Sequence, residues 1–169
     1  MRVRTVGIVA ALSIVCGLGC DEVSFPSPAT EEFVATLSGA GEVPPVTTSA
    51  AGTAVFGVLL DTVLTYRIDI ATTDTPTVAH IHEGAAGVPG AVIVTLYGGP
   101  TRNTADYGGP LGIGQFVPSQ LTQLPVGFGA TARARFDSLV TLMRAGGVYV
   151  NVHTLAHSGG EIRGQIQPQ

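Results

Sequence analysis

Lysine and tryptophan are absent from this chain of 169 residues, and cysteine occurs only at Cys16 and Cys20. Beyond position 20, therefore, no disulfide can staple the fold and no thiol can act as nucleophile or metal ligand. All 8 basic residues are arginine, against 12 Asp and Glu. No basic stripe is present to neutralise phosphates or to hold an anionic lipid surface, which argues against nucleic acid as a partner. Helical periodicity is scarce as well. What is plentiful is glycine, with 23 residues, and proline, with 11. They punctuate short alternating runs, the pattern of an all-β domain, and the length suits a single core.

The N-terminal segment stands apart. Arg2 and Arg4 precede an apolar stretch at residues 6–15, about ten residues long, too short to span a bilayer and suited to a secretory signal. It ends in Gly17-Leu18-Gly19-Cys20, which resembles the lipobox of bacterial lipoproteins, although Gly17 stands where that motif carries Leu. The resemblance implies that Cys20 becomes the lipidated first residue and that this lipid, rather than any protein surface, is the contact with a membrane. We expect residues 1–19 to be a signal peptide and residues 20–32, rich in Pro, Ser and acid, to be a flexible tether. The domain is then exported, anchored in the cell envelope or secreted where Cys20 is not lipidated. Its net charge is about −6 once Arg2 and Arg4 have left with the leader.

From residue 33 the chain reads as strands. Residues 33–38 and 64–70 alternate with period two, and 53–60 is an apolar run of strand length. Residues 77–82, 91–97, 131–136, 148–154 and 161–166 follow as further candidates. Asp61-Thr62 looks like a tight hairpin connection. One two-turn helix is expected, with Asp137 as its cap, Leu139, Leu142 and Met143 on one face and Gly146 past its end. Residues 98–129 look loop-heavy. The expected fold is an antiparallel Greek-key β-sandwich, immunoglobulin-like or of the copper/zinc superoxide dismutase type, with one short helix.

Chemistry concentrates in His80-Ile81-His82 and in Asn151-Val152-His153. On a strand His80 and His82 share one face, and in residues 148–153 the three valines make one face while Tyr149, Asn151 and His153 make the other. Should the two strands be neighbours, three of the 4 histidines meet. Neutral imidazoles suit copper or zinc, and three of them leave an open fourth position. Glu161, Glu83 or Asp106 can supply a carboxylate or orient a ring. The alternative is a hydrogen-bonded network of His80, His82, Asn151 and Thr154 that is structural. In Gly159-Gly160-Glu161-Ile162-Arg163-Gly164, Glu161 and Arg163 share a face. Either Glu161 supports a histidine and Arg163 binds an anion, or both are tied to turn groups and hold the last strand. Glu42-Val43-Pro44-Pro45 reads as the protected end of an edge strand or a partner-binding loop, and His157 as a turn residue.

Taken in order, Leu37-Ser38-Gly39, Glu42-Val43-Pro44-Pro45, the run from Ala79 to Gly87, the run from Val148 to Thr154 and the run from Gly159 to Ile166 resemble the CHRD domain, named after chordin. The resemblance covers nearly everything after the tether, giving a domain at residues 33–168. It implies an exported β-domain without an established activity. The His-x-His pair with a later histidine is also similar to the copper site of copper/zinc superoxide dismutases. The bridging histidine, zinc loop and disulfide of that enzyme have no counterpart here. Three functions follow as expectations: a non-enzymatic envelope protein with a histidine metal site, a scaffold that binds an extracellular protein through its loops, or a copper redox enzyme.

Overall fold

The structure, a computed structural model, describes residues 29–102 and 106–169. The expected signal peptide, Cys20 and most of the expected tether lie outside the described residues. Among the described residues nine strands form: β1 (Ala29–Ser38), β2 (Ala51–Leu59), β3 (Val63–Thr73), β4 (Pro76–Glu83), β5 (Val92–Tyr97), β6 (Tyr107–Phe116), β7 (Val148–Thr154), β8 (Ile162–Gln165) and β9 (Gln167–Pro168), with one α-helix, α1 (Ala132–Arg144). Along the sheet the order is β5-β4-β7-β8-β1-β2-β3-β6, with β9 beside β1. Neighbours pair antiparallel throughout. The two ends of this ladder curl back towards each other. A Cβ on Gly112 of β6 would come within 3.4 Å of the Leu96 carbonyl of β5, and Tyr66 of β3 donates its hydroxyl to that same carbonyl at 2.8 Å. An all-β, barrel- or sandwich-like antiparallel fold with one helix results.

Alternation builds the interior. Phe33 and Leu37 of β1, Phe56 of β2, Ile68 of β3 and Ile81 of β4 all turn inward and are at most 1 % exposed. The β2–β3 hairpin turns through Leu60 and Asp61, both in the left-handed region at φ 48° and 56°, as a tight right-twisted hairpin requires. From α1, Phe136, Leu139, Val140 and Met143 recur at helical spacing and close the core from outside the sheet.

The structure corrects five of the sequence expectations. Residues 131–136 are not a strand but the first turn and a half of α1. Their alternation of Ala with Arg imitates a strand, yet Ala and Arg are strong helix formers, and propensity prevails once Phe136 begins the buried face. Asp137 is not the cap; Thr131 is, its hydroxyl accepting from the Ala134 amide at 3.1 Å. The helix is also longer than two turns, 13 residues, although Gly146 does follow its end at φ 63°. Within the supposed loop at 98–129 lies β6, whose glycines and Pro110 mask its pattern. Proline is tolerated because β6 ends the ladder. The register skips Leu111 between Pro110 and Gly112, a bulge that accompanies the burial of its side chain. Finally β1 begins at Ala29, so the fold takes in four residues assigned above to the tether.

Candidate metal centre

On the outer side of the sheet, β4, β7 and β8 set polar residues in a grid. His80 lies opposite Asn151 and His82 opposite Tyr149. Asn151 in turn lies opposite Arg163, and Tyr149 opposite Gln165. Inward, the same strands present Ala79, Ile81, Val148, Val150, Val152 and Ile162, all without exposure. Period two thus turns one stretch of sequence into two surfaces of opposite character. The outer one is covered by irregular backbone rather than by water, and His82, Tyr149, Asn151 and Arg163 are all under 9 % exposed.

His80, His82 and His153 converge here, with one nitrogen of each lying within 4.8 Å of the others. His80 Nδ1 is 3.4 Å from His153 Nε2, the separation of two nitrogens that share an ion at bonds of roughly 2.0–2.1 Å. The wider span means that the His82 ring must draw in by about 1 Å to complete such a site. Two of the rings are already oriented from behind. His82 Nδ1–H donates to the Gly90 carbonyl at 2.9 Å, and His153 Nδ1–H donates to the Ser158 carbonyl at 2.8 Å. Both bonds leave Nε2 unprotonated. His153 Nε2 then accepts from His80 Nδ1–H, while His82 Nε2 is buried and has no hydrogen-bond partner among the described residues. A buried polar atom left without a partner costs free energy, and a metal ion is one group that would satisfy it.

Electrostatics keep the His80 and His82 rings neutral, as metal binding requires. Burial, followed by the neighbouring His153 and His82, holds His80 down at about 4. Burial also lowers His82, aided by His153 and by the positive Arg163, against the opposing effect of the bond to Gly90. His80 and His153 are only half-buried, so an ion held here keeps one side towards solvent.

The remaining sequence candidates scatter. Asn151 is in the grid but gives its amide to the two carboxylate oxygens of Glu42, each at 3.0 Å. Burial raises Glu42 to about 7, against the lowering effects of Arg163 and of the Asn151 bond. Glu161 immediately precedes β8, but one of its oxygens accepts from the Thr48 hydroxyl at 2.6 Å, and it is not in the histidine cluster. Glu83 is exposed, on the opposite side from His82, and Asp106 is exposed as well. Neither touches the cluster. Arg163 donates to the Ala85 and Val88 carbonyls at 3.2 and 2.9 Å and lies 3.3 Å over the Tyr149 ring. Thr154 uses its hydroxyl to accept from the His157 amide. His157 itself lines a separate cleft of about 360 Å³ with Glu42, Pro44, Pro45 and Gly160.

Sequence reasoning missed Tyr149, which stacks on His82 at 4.9 Å between centroids, and Glu42 as a partner of Asn151. The first was visible as a ring on the histidine face. The second was not, because Glu42 and Asn151 are 109 residues apart and meet only when the loop after β1 folds over the sheet. The carbonyls of Gly90 and Ser158 carry no sequence signal at all.

Among known families, the CHRD domain matches residues 33–166. No curated protein and no solved structure matches the chain. The chain belongs to the CHRD-domain family.

Proposed function

We propose that this CHRD-domain protein binds one transition-metal ion, copper or zinc, through His80, His82 and His153, and serves as a binding module of the cell envelope rather than as a catalyst. His82 carries the reading: its Nδ1–H is committed to the Gly90 carbonyl while its Nε2 is buried without a partner. His153 is held in the same tautomer by Ser158. A ring oriented through one nitrogen so that the other is free is the arrangement found behind metal-bound histidines. The ligand set would be Nε2 of His82, Nε2 of His153 and Nδ1 of His80, whose ring would pass to the tautomer protonated at Nε2 when the ion enters. No carboxylate belongs to the set, so the ion would keep its positive charge and an open position.

Export and lipid anchoring at Cys20 complete the proposal. They are supported by the leader pattern of residues 1–20. Among the described residues no helix is long and apolar enough to cross a membrane. A second reading, a scaffold with structural histidines that presents its loops to an extracellular protein, is favoured by the His82–Tyr149 stack, which needs no ion.

Elemental analysis separates the two. The protein is exposed to zinc or copper and freed of excess, with a His80→Ala/His82→Ala/His153→Ala variant as control. Metal binding gives about one equivalent in the parent and none in the variant. No retained metal in the parent overturns the proposal and makes the histidines structural.

A further inference from the structure

The turn between β4 and β5 is fastened to the sheet by side chains of β7 and β8. Arg163 reaches two of its carbonyls, Ala85 at 3.2 Å and Val88 at 2.9 Å. Gln165 donates to a third, Gly84, at 2.9 Å. Tyr149 accepts the Gly90 amide on its hydroxyl at 3.0 Å. The last residue held in this way, Gly90, is the one whose carbonyl receives His82 Nδ1–H. No side chain fits at Gly90, since a Cβ would lie 1.4 Å from the Glu83 carbonyl oxygen. Because β4 and β8 flank β7, Tyr149 stands between His82 and Arg163, stacked on one and covered by the other.

The geometry points to Arg163 as a positioning residue of the metal centre: by clamping residues 84–91 it fixes the Gly90 carbonyl, and through it the tautomer and ring direction of His82. This rests on the metal reading above, but its first consequence exists without metal. A guanidinium suits the task because it can bond two carbonyls in its plane and still lie flat on an aromatic ring. Were the clamp absent, the Gly90 carbonyl would be held less firmly, by Tyr149 and Gln165 alone among these side chains, and His82 would exchange between its two neutral tautomers, one of which carries a proton on the nitrogen that should bind metal.

The test uses the full chain, with Arg163→Met and Arg163→Lys variants and zinc alone as the probe. Nitrogen-15 NMR of the metal-free protein reads the His82 tautomer, and competition with a chelator reads zinc affinity. The parent should show His82 protonated at Nδ1. Arg163→Met should give mixed tautomers and bind zinc about 10- to 100-fold more weakly, while Arg163→Lys recovers part of both. A folded Arg163→Met protein that keeps the single Nδ1–H tautomer overturns the inference. Should that variant fail to fold, Arg163→Lys is read in its place: it keeps the charge but loses the planar fork on the two carbonyls, and an unchanged single Nδ1–H tautomer there overturns the inference equally. A parent that binds no zinc refutes the metal reading alone, because the tautomer measurement still decides the role of Arg163.

Discussion

Inside β4, β7 and β8, Ile81, Val150, Val152 and Ile162 show no exposure; outside, Tyr149, Asn151 and Arg163 show only 3–4 %. Both faces are dry, yet they are held by different physics. The inner face is held by apolar area and close packing, which are indifferent to direction and to pH. The outer face holds ionisable and amide groups whose burial is tolerable only while each finds its partner. Arg163, Gln165 and the Asn151 amide nitrogen find theirs in loop carbonyls and in Glu42. His82 Nε2, Asn151 Oδ1 and one Glu161 oxygen have none among the described residues. An inner face so arranged can only be stable or unstable, whereas the outer one can also respond.

Adjacent residues of β4 sharpen this contrast most. Ile81→Ala should cost about 2–5 kcal/mol in urea unfolding, by the same amount with zinc or with chelator, since it leaves a cavity and touches no polar group. Zinc at 100 times its dissociation constant should stabilise the parent by about 2.7 kcal/mol, and His82→Ala should erase that increment. A zinc increment surviving in His82→Ala would break the division between the faces.

Next comes pH. Burial raises Glu42 from 4.5 to about 7, so folding takes up a proton. Its contribution is complete below about pH 4.5 and is lost as pH rises through 7. The parent, in chelator, should therefore lose on the order of 2 kcal/mol between pH 5 and pH 8 that Glu42→Gln does not lose. Equal slopes for the two proteins would show Glu42 ionised throughout. The smallest effect serves as the baseline at neither face: Thr131→Ala removes the helix cap and should lower stability by about 1 kcal/mol with no change in zinc binding.

The inner face was legible in the sequence and the outer only in part. Alternation in Val148-Tyr149-Val150-Asn151-Val152-His153 suffices to sort the valines from the histidine side, and the histidines of β4 follow by the same parity. What covers the histidine side was not legible. The covering backbone at Gly39–Gly41, at residues 84–91 and at 155–160 has no period, and its contribution is carbonyl oxygens, which every residue possesses. Hence Glu161, two residues before Arg163 and sharing its face by alternation, reads as a partner for the histidines, while in the fold it turns to Thr48. The helix start failed for another reason: Ala-Arg-Ala-Arg is consistent with both periods until Phe136 decides.

One feature of β1 bears on how the domain withstands a pull. It lies in the middle of the ladder, not at an edge, between β8 and β2. Eight register pairs with β2 run without interruption from Glu31 to Ser38, after a shift beyond Ala29. Arg144, at the end of α1, also grips Glu31. A force applied to the chain ahead of Ala29 therefore loads the strand lengthwise, in shear, so that the cross-strand bonds share the tension together instead of parting one by one as a zip.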